Sequence, residues 1–349
     1  MASPENQRRQ FASDNFAGIC PDAWAAMEEA NRGHAPSYGA DAWTAEATRL
    51  IREIFETDCE VFFVFNGTSA NSLAVAATCA PFESVLCHEH AHLANDECGA
   101  PGFFAHGVSL VPLPGENGKL SFSQIEQAAT RRTDIHHPKP RLVTITQATE
   151  LGTVYSPDEV AAIGATADRL ELHLHMDGAR FANAVAGLGA SPKAMTWEAG
   201  VDILTLGGTK NGLPWGEALV FFDRHLARHF EFRRKQAGQL SSKMRFLAAP
   251  WVGALRDGAW LRHAAQANAR AAELEAGLRQ VPGVQIAWPR EANAVFALMP
   301  PALADGLHER GWHFYSDVGP GGAARLMCSW DTTSEDVAAF LADAANLAK

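Results

Sequence analysis

Two short apolar runs in the middle of the chain each end in charged groups. Leu170 to Met176 leads into Asp177-Gly178-Ala179-Arg180, and Val201 to Leu206 leads into Gly207-Gly208-Thr209-Lys210. Runs of this length, bounded by glycine, fit buried strands, and the stretch between them has crossover length. Ligands in open α/β sheets sit at the carboxyl ends of strands, so Asp177, Arg180 and Lys210 are expected to converge in one crevice. A carboxylate and a lysine placed this way suit pyridoxal phosphate chemistry. The amine forms a Schiff base with the cofactor aldehyde. The carboxylate keeps the pyridine nitrogen protonated, and the protonated ring is the electron sink for a carbanion at the substrate Cα. Singly, either residue is ordinarily a solvated loop group. The pair on consecutive strand ends, with glycines before the lysine, is more specific.

Other groups offer chemistry of their own. Glu60 to Phe65 is an apolar strand pattern that breaks at Asn66-Gly67-Thr68-Ser69-Ala70-Asn71 before a helical pattern. Free N–H groups and hydroxyls at such a turn can cradle a phosphate, helped by the helix dipole. His88, His90 and His92 alternate and share a face on extended backbone. His173-Leu174-His175-Met176-Asp177 is an HxHxD pattern of the kind binuclear zinc hydrolases use. That metal reading leaves the glycine-lysine turn and the phosphate turn unexplained, so no metal is expected. His225 and His229 have the spacing of a helical metal pair, which an exposed helix face explains equally well.

The elements that must position these groups follow the pattern of an α/β chain. Length, at 349 residues, suits two domains sharing a site. A helix is expected from Asp22 to Asn31 and another from about Thr44 to Phe55. Short strands are expected at Ser109 to Leu113, Leu142 to Gln147 and Glu217 to Phe222, with a crossover helix from Pro157 to Arg169 behind Ser156. From about Pro250 the character changes to a long Ala-rich helix, roughly Trp260 to Arg279. Strand patterns follow at Val284 to Trp288, Ala294 to Met299, Trp312 to Tyr315 and Arg325 to Trp330, then a last helix from Ser334. The expected layout is a loose arm over residues 1–12, a large domain over 13–250 with a mostly parallel central sheet flanked by helices, and a smaller C-terminal α/β domain over 251–349. The net charge of −11 argues against nucleic-acid and anionic-membrane partners. No apolar run is long enough to span a bilayer and no charged-then-apolar leader is found. Six cysteines without CxxC spacing fit reduced thiols. A cytoplasmic enzyme is the expectation.

Taken in order, SDN near the start, SYG at Ser37, NGTSAN at Asn66, AHLANDECGA at Ala91, IHHPKPR at Ile135, HMDGAR at His175, GGTKNG at Gly207 and ARLMCSW at Ala324 make the whole chain resemble the L-threonine aldolases. These belong to the fold type I pyridoxal phosphate enzymes, the aspartate-aminotransferase-like superfamily. The resemblance is nearest to low-specificity bacterial members carrying DECGAP and APWVG. It implies a lyase that cleaves L-β-hydroxy-α-amino acids to glycine and an aldehyde, with Lys210 holding the cofactor and Asp177 on its pyridine nitrogen. His92 would stack on the ring, and Gly67, Thr68 and Ser69 would cradle the phosphate. Thr209 and Lys235 are counted with the cofactor contacts. Arg180 would lie near the phenolic oxygen and the substrate carboxylate, which Ser13 and Arg325 would grip. Tyr38 and a basic residue among Lys235, Lys243 and Arg245 would reach in from a neighbouring subunit of a homotetramer built from close dimers. His92 and His136 are the candidates for taking the β-hydroxyl proton, with Asp96 and Glu97 orienting. Thr149 stands where many members carry a second histidine. Serine hydroxymethyl transfer, β-elimination and aminotransfer begin from the same chemistry and stay open at this point.

Overall fold

The computed structural model describes residues 10–348. Its centre is a seven-stranded sheet built from β1 (Glu60–Val64), β2 (Glu83–His88), β3 (Ser109–Leu113), β4 (Lys139–Thr146), β5 (His173–Gly178), β6 (Ile203–Leu206) and β7 (Glu217–Phe221). The spatial order is β1-β7-β6-β5-β4-β2-β3. Pairs among β2 to β6 are parallel, and β7 alone runs against both of its neighbours. β2, β6 and β7 are buried along their whole length. Helices cover both faces of such a sheet, so its strands read as continuous apolar runs and not as alternating ones.

The helices start where the sequence offers caps. Ser156 and Glu159 form a capping box ahead of the crossover helix Pro157–Arg169, with Pro157 in its first turn. Ser121 and Gln124 do the same for Phe122–Thr130. The first helix, expected from Asp22 to Asn31, is Pro21–Ala30, with Cys20 as its N-cap. His225 and His229 are not on one helix: His229 is a left-handed residue before the short helix Phe230–Gln236.

A second, antiparallel sheet forms near the C-terminus from β8 (Gln285–Ile286), β9 (Ala294–Leu298), β10 (Tyr315–Gly319) and β11 (Ala323–Met327), in the order β10-β11-β9-β8. The strand expected at Trp312 to Tyr315 starts only at Tyr315. Trp312 is instead a core residue, packed on Phe11 and Phe340. Of the expected N-terminal arm, residues 1–9 lie outside the described residues. At its far end Phe11 is fully buried in the C-terminal core, its amide donating to the His313 carbonyl (2.6 Å) and its carbonyl accepting from Met327 (2.7 Å). The long helix Ala259–Leu278 feeds both cores, with Trp260 and Ala264 in the large one and Ala271, Leu274 and Leu278 in the small one. We propose two domains, over residues 13–250 and 251–349, bridged by that helix; the large core also takes Trp251, Val252 and Leu255 of the helix Arg245–Leu255 from beyond that boundary. Among the described residues no helix is long and apolar enough to cross a membrane.

Candidate active site

The carboxyl ends of β1, β2, β4, β5 and β6 open on one side of the sheet. Asp177 closes β5 opposite Thr205 of β6, and Gly178 pairs with Leu206. The loop carrying Lys210 approaches the end of β5 closely. A side chain at Gly207 would put Cβ 2.4 Å from the Ala179 carbonyl oxygen, and one at Gly178 would put it 2.6 Å from that of Thr205. Only glycine lets the two turns meet. The end of β4 is tied to the same point, since the Gln147 amide donates to Asp177 O (2.7 Å) and the Arg180 amide to Gln147 O (3.3 Å).

A buried polar network braces these ends. Asp177 accepts from Asn71 Nδ2 (2.8 Å) and from the Ala179 amide (3.0 Å). The same Asn71 nitrogen donates to Glu97 Oε1 (2.9 Å), which lies 3.0 Å from His92 Nδ1. The hydrogen bond that Glu97 accepts from His92 holds the imidazole above its ordinary pKa, against the effect of burial. Arg180 donates from Nε and Nη2 to the two oxygens of Asp14 (2.7 and 3.0 Å), and Asn293 adds a third bond to Asp14 (3.2 Å). Burial alone would raise the Asp14 carboxyl; the Arg180 guanidinium overrides it and holds Asp14 below the usual carboxylate range. Beneath Lys210, Glu217 Oε2 accepts from the Gly208 amide (2.5 Å) and is also bonded by Thr209, while burial pushes its carboxyl up to about 7. Lys210 lies near enough to Asp14 and Glu217 to lower both.

Arg325 is the cation expected to meet a substrate carboxylate, with Ser13 beside it. Arg325 projects from β11, half-buried, with Nη2 donating to Ala12 O (3.1 Å) and Nε buried without a partner. An unpaired buried guanidinium nitrogen is costly and marks a place for an anion. Ser13 is buried beside Asp14, its Oγ accepting from the Asn15 amide (3.1 Å). Arg325, Glu150, Asp96, His90 and Tyr315 line a cavity of about 430 Å³ above the network.

The chain as a whole is similar to known proteins. The beta-eliminating lyase family model matches residues 10–300. The low specificity L-threonine aldolase of Pseudomonas sp. (strain NCIMB 10558) is 57% identical over 97% of this chain and 97% of its own. That of Pseudomonas aeruginosa is 60% identical over 94% of this chain and 95% of its own. The chain belongs to the low-specificity L-threonine aldolase family. A solved structure of Leishmania major threonine aldolase matches with a TM-score of 0.92 at 29% identity, covering 97% of this chain and 99% of that one. The architecture is accordingly the type I fold of pyridoxal phosphate enzymes.

Not every expected residue joins the site. His136 is exposed in the loop before β4, at the amino end of the sheet, with Phe82, Leu170 and Leu172, and so cannot reach Asp177 or Lys210 in this chain. Thr149 faces away as well: its hydroxyl pairs with Thr153 Oγ1 (2.7 Å) and bonds Asn117 O (3.4 Å). The neighbouring Glu150 opens into the cavity instead. Ser69 turns its hydroxyl into the helix cap, toward Asn66 O (2.8 Å) and Gln239 (3.1 Å), which leaves Gly67 and Thr68 at the helix start. Thr209 is committed to Glu217. Lys235 sits over the exposed Tyr38 ring (5.1 Å), and neither joins the buried network. The HxHxD residues are not gathered: His173 meets Asp202, His175 meets Thr205 Oγ1 (3.1 Å), and Asp177 meets Asn71.

Sequence reasoning assigned no role to Asp14, Asn71, Glu150 or Glu217. Asp14 and Asn71 sit inside the SDN and NGTSAN motifs, and a buried role for each was the available signal. For Glu217 the signal was a carboxylate opening the apolar run EALVFF.

Proposed function

We propose that the protein cleaves L-threonine, L-allo-threonine and other L-β-hydroxy-α-amino acids to glycine and an aldehyde, reversibly, with pyridoxal 5'-phosphate as cofactor. The observation that carries this reading is the placement of Asp177 and Lys210 on adjacent strand ends, held there by close glycine contacts. The donor set fits the cofactor. Lys210 would anchor it through Nζ, Asp177 would face the ring nitrogen and His92 would cover the ring. The amides of Gly67 and Thr68, at the start of the helix Gly67–Thr78, would take the phosphate. When bound, the cofactor supplies an electron sink for the pair left on Cα.

The chain's own residues do the rest. Arg325, with its unpaired Nε, would hold the substrate carboxylate. Arg180 is already clamped to Asp14 and presents a fixed positive charge beside it. Asn71 links Asp177 to Glu97, and Glu97 meets His92, so one hydrogen-bond chain joins the residue that would face the ring nitrogen to the one that would cover the ring. Glu217 fixes the turn that carries Lys210.

Exposed aromatic side chains flank the site segments: Phe16 beside Ser13, Tyr38, and Phe65 beside Asn66. They support a homotetramer in which a neighbour covers the site and Tyr38 and Lys235 serve the neighbouring subunit's site, the dimer of dimers of the proposed assembly. Six unpaired cysteines support a cytoplasmic setting. The test is to supply purified protein with pyridoxal phosphate and L-threonine. Acetaldehyde and glycine in equal amounts are expected. Amino transfer to 2-oxoglutarate, or pyruvate-type products of elimination, without aldehyde would overturn the reading.

A further inference from the structure

Carbon–carbon cleavage needs one group the cofactor does not supply, an acceptor for the proton on the substrate β-hydroxyl. The carboxylates around the site differ in how far they are committed. Asp14 is bound to Arg180 and Asn293, Asp177 to Asn71 and the Ala179 amide, Glu97 to His92 and Asn71, and Glu217 to the Gly208 amide. Glu150 makes no side-chain hydrogen bond and no ion pair within 4.0 Å among the described residues. It is half-buried just past the end of β4. It lines the 430 Å³ cavity with Arg325, and also the smaller space beneath, with Arg180 and Asn293. Its charge is felt by His92, Arg180 and Arg325 together. It therefore lies within electrostatic reach of the histidine expected to cover the ring and of both arginines, and it faces open space beside Arg325.

We propose that Glu150 is the catalytic base that takes the β-hydroxyl proton. The inference rests on the lyase reading above. In the step, the Glu150 carboxylate receives the hydroxyl proton, the O–H pair becomes the second C–O bond of the leaving aldehyde, and the Cα–Cβ bond breaks. Its electron pair stays on Cα, held by the cofactor, and Cα then takes a proton to give glycine. The rival groups are less suited. His92 is hydrogen-bonded to Glu97 through Nδ1, so one of its two ring nitrogens is already committed. Thr149 faces Thr153 and Asn117. Asp96 is exposed at the cavity rim and does not figure among the charges felt by His92.

The test compares wild type with Glu150→Gln in three measurements on the pyridoxal phosphate-loaded protein. These are aldehyde release from L-threonine, L-threonine affinity from the cofactor's absorbance, and exchange of the glycine Cα hydrogen with deuterium by NMR. Glycine has no β-hydroxyl, so exchange needs the site but not this base. Loss of cleavage by about 100-fold or more, with exchange and affinity near wild type, is expected. Unchanged cleavage, or equal loss of cleavage and exchange, would overturn the proposal. If Glu150→Gln does not fold or load, Glu150→Asp decides by the same split: cleavage falling more than exchange is expected, and parallel loss overturns it. A wild type that neither cleaves nor exchanges would sink the lyase reading itself, an outcome distinct from failure of Glu150.

Discussion

The two ends of the central sheet carry the same kinds of side chain and differ in how those side chains are held. At the amino end, His173 Nδ1 lies 3.2 Å from Asp202, with Asp223 close by, beside a cavity of about 680 Å³. His136 and His137 line another of about 710 Å³. Both cavities are larger than the one at the carboxyl end. Yet the amino-end groups come from loops and strand starts, and His136 is exposed. At the carboxyl end, Asp14, Asn71, Glu97, Asp177, Arg180 and Glu217 arrive from five separate segments and are buried or nearly so; Arg180 pairs with Asp14, Asn71 bridges Glu97 and Asp177, and Glu217 holds the Gly208 amide. Burying charge is costly unless it is paired, so a chain that does so at one sheet end is using it there. Cavity size and histidine count would have pointed to the wrong end.

That contrast can be broken or sharpened in order of expected effect. Asp177→Asn removes the charge meant for the ring nitrogen, and turnover should fall on the order of 10²–10³-fold in a steady-state aldehyde assay while the protein stays folded. Asp14→Ala leaves Arg180 buried without its partner; urea denaturation should show a loss of about 3–5 kcal/mol, and a loss below 1 kcal/mol would mean the network does not brace the site. His175, fully buried between the ends, has its pKa pushed down to about 4 by burial. The unfolded chain takes up that proton near pH 6.5 and the folded one only near 4. Stability should therefore be intact above that window and fall as pH drops through it, by ~3 kcal/mol at most. His175→Gln should flatten the slope in melts taken across that range. At the amino end, His136→Ala and His173→Ala should leave kcat/KM for L-threonine within about twofold, since neither side chain touches the network at the carboxyl end. A large loss from either would erase the distinction between the two ends.

What was legible in the sequence follows from the same physics. Asp177 and Lys210 could be read because each closes a short apolar run, and a strand end is a fixed place in an α/β sheet. The Asp14–Arg180 clamp could not, since its partners are 166 residues apart and nothing local pairs them. Thr149 and Glu150 were hard to tell apart because alternation stops where β4 ends at Thr146; the turn closed by the Thr149–Thr153 bond decides which one faces the cavity. His136 was assigned by motif to a segment that enters β4 from its amino end, where position relative to the strand points away from the site. Trp312 looked like part of a strand because its run is apolar, but that run fills the core against Phe11.

The most direct test of the central claim sets Lys210→Ala beside His136→Ala and wild type, all supplied with pyridoxal phosphate and L-threonine, recording aldehyde release and the cofactor's absorbance. The account predicts that Lys210→Ala loses both turnover and the lysine-dependent band while His136→Ala keeps both. Turnover retained without Lys210, or lost with His136, would contradict it.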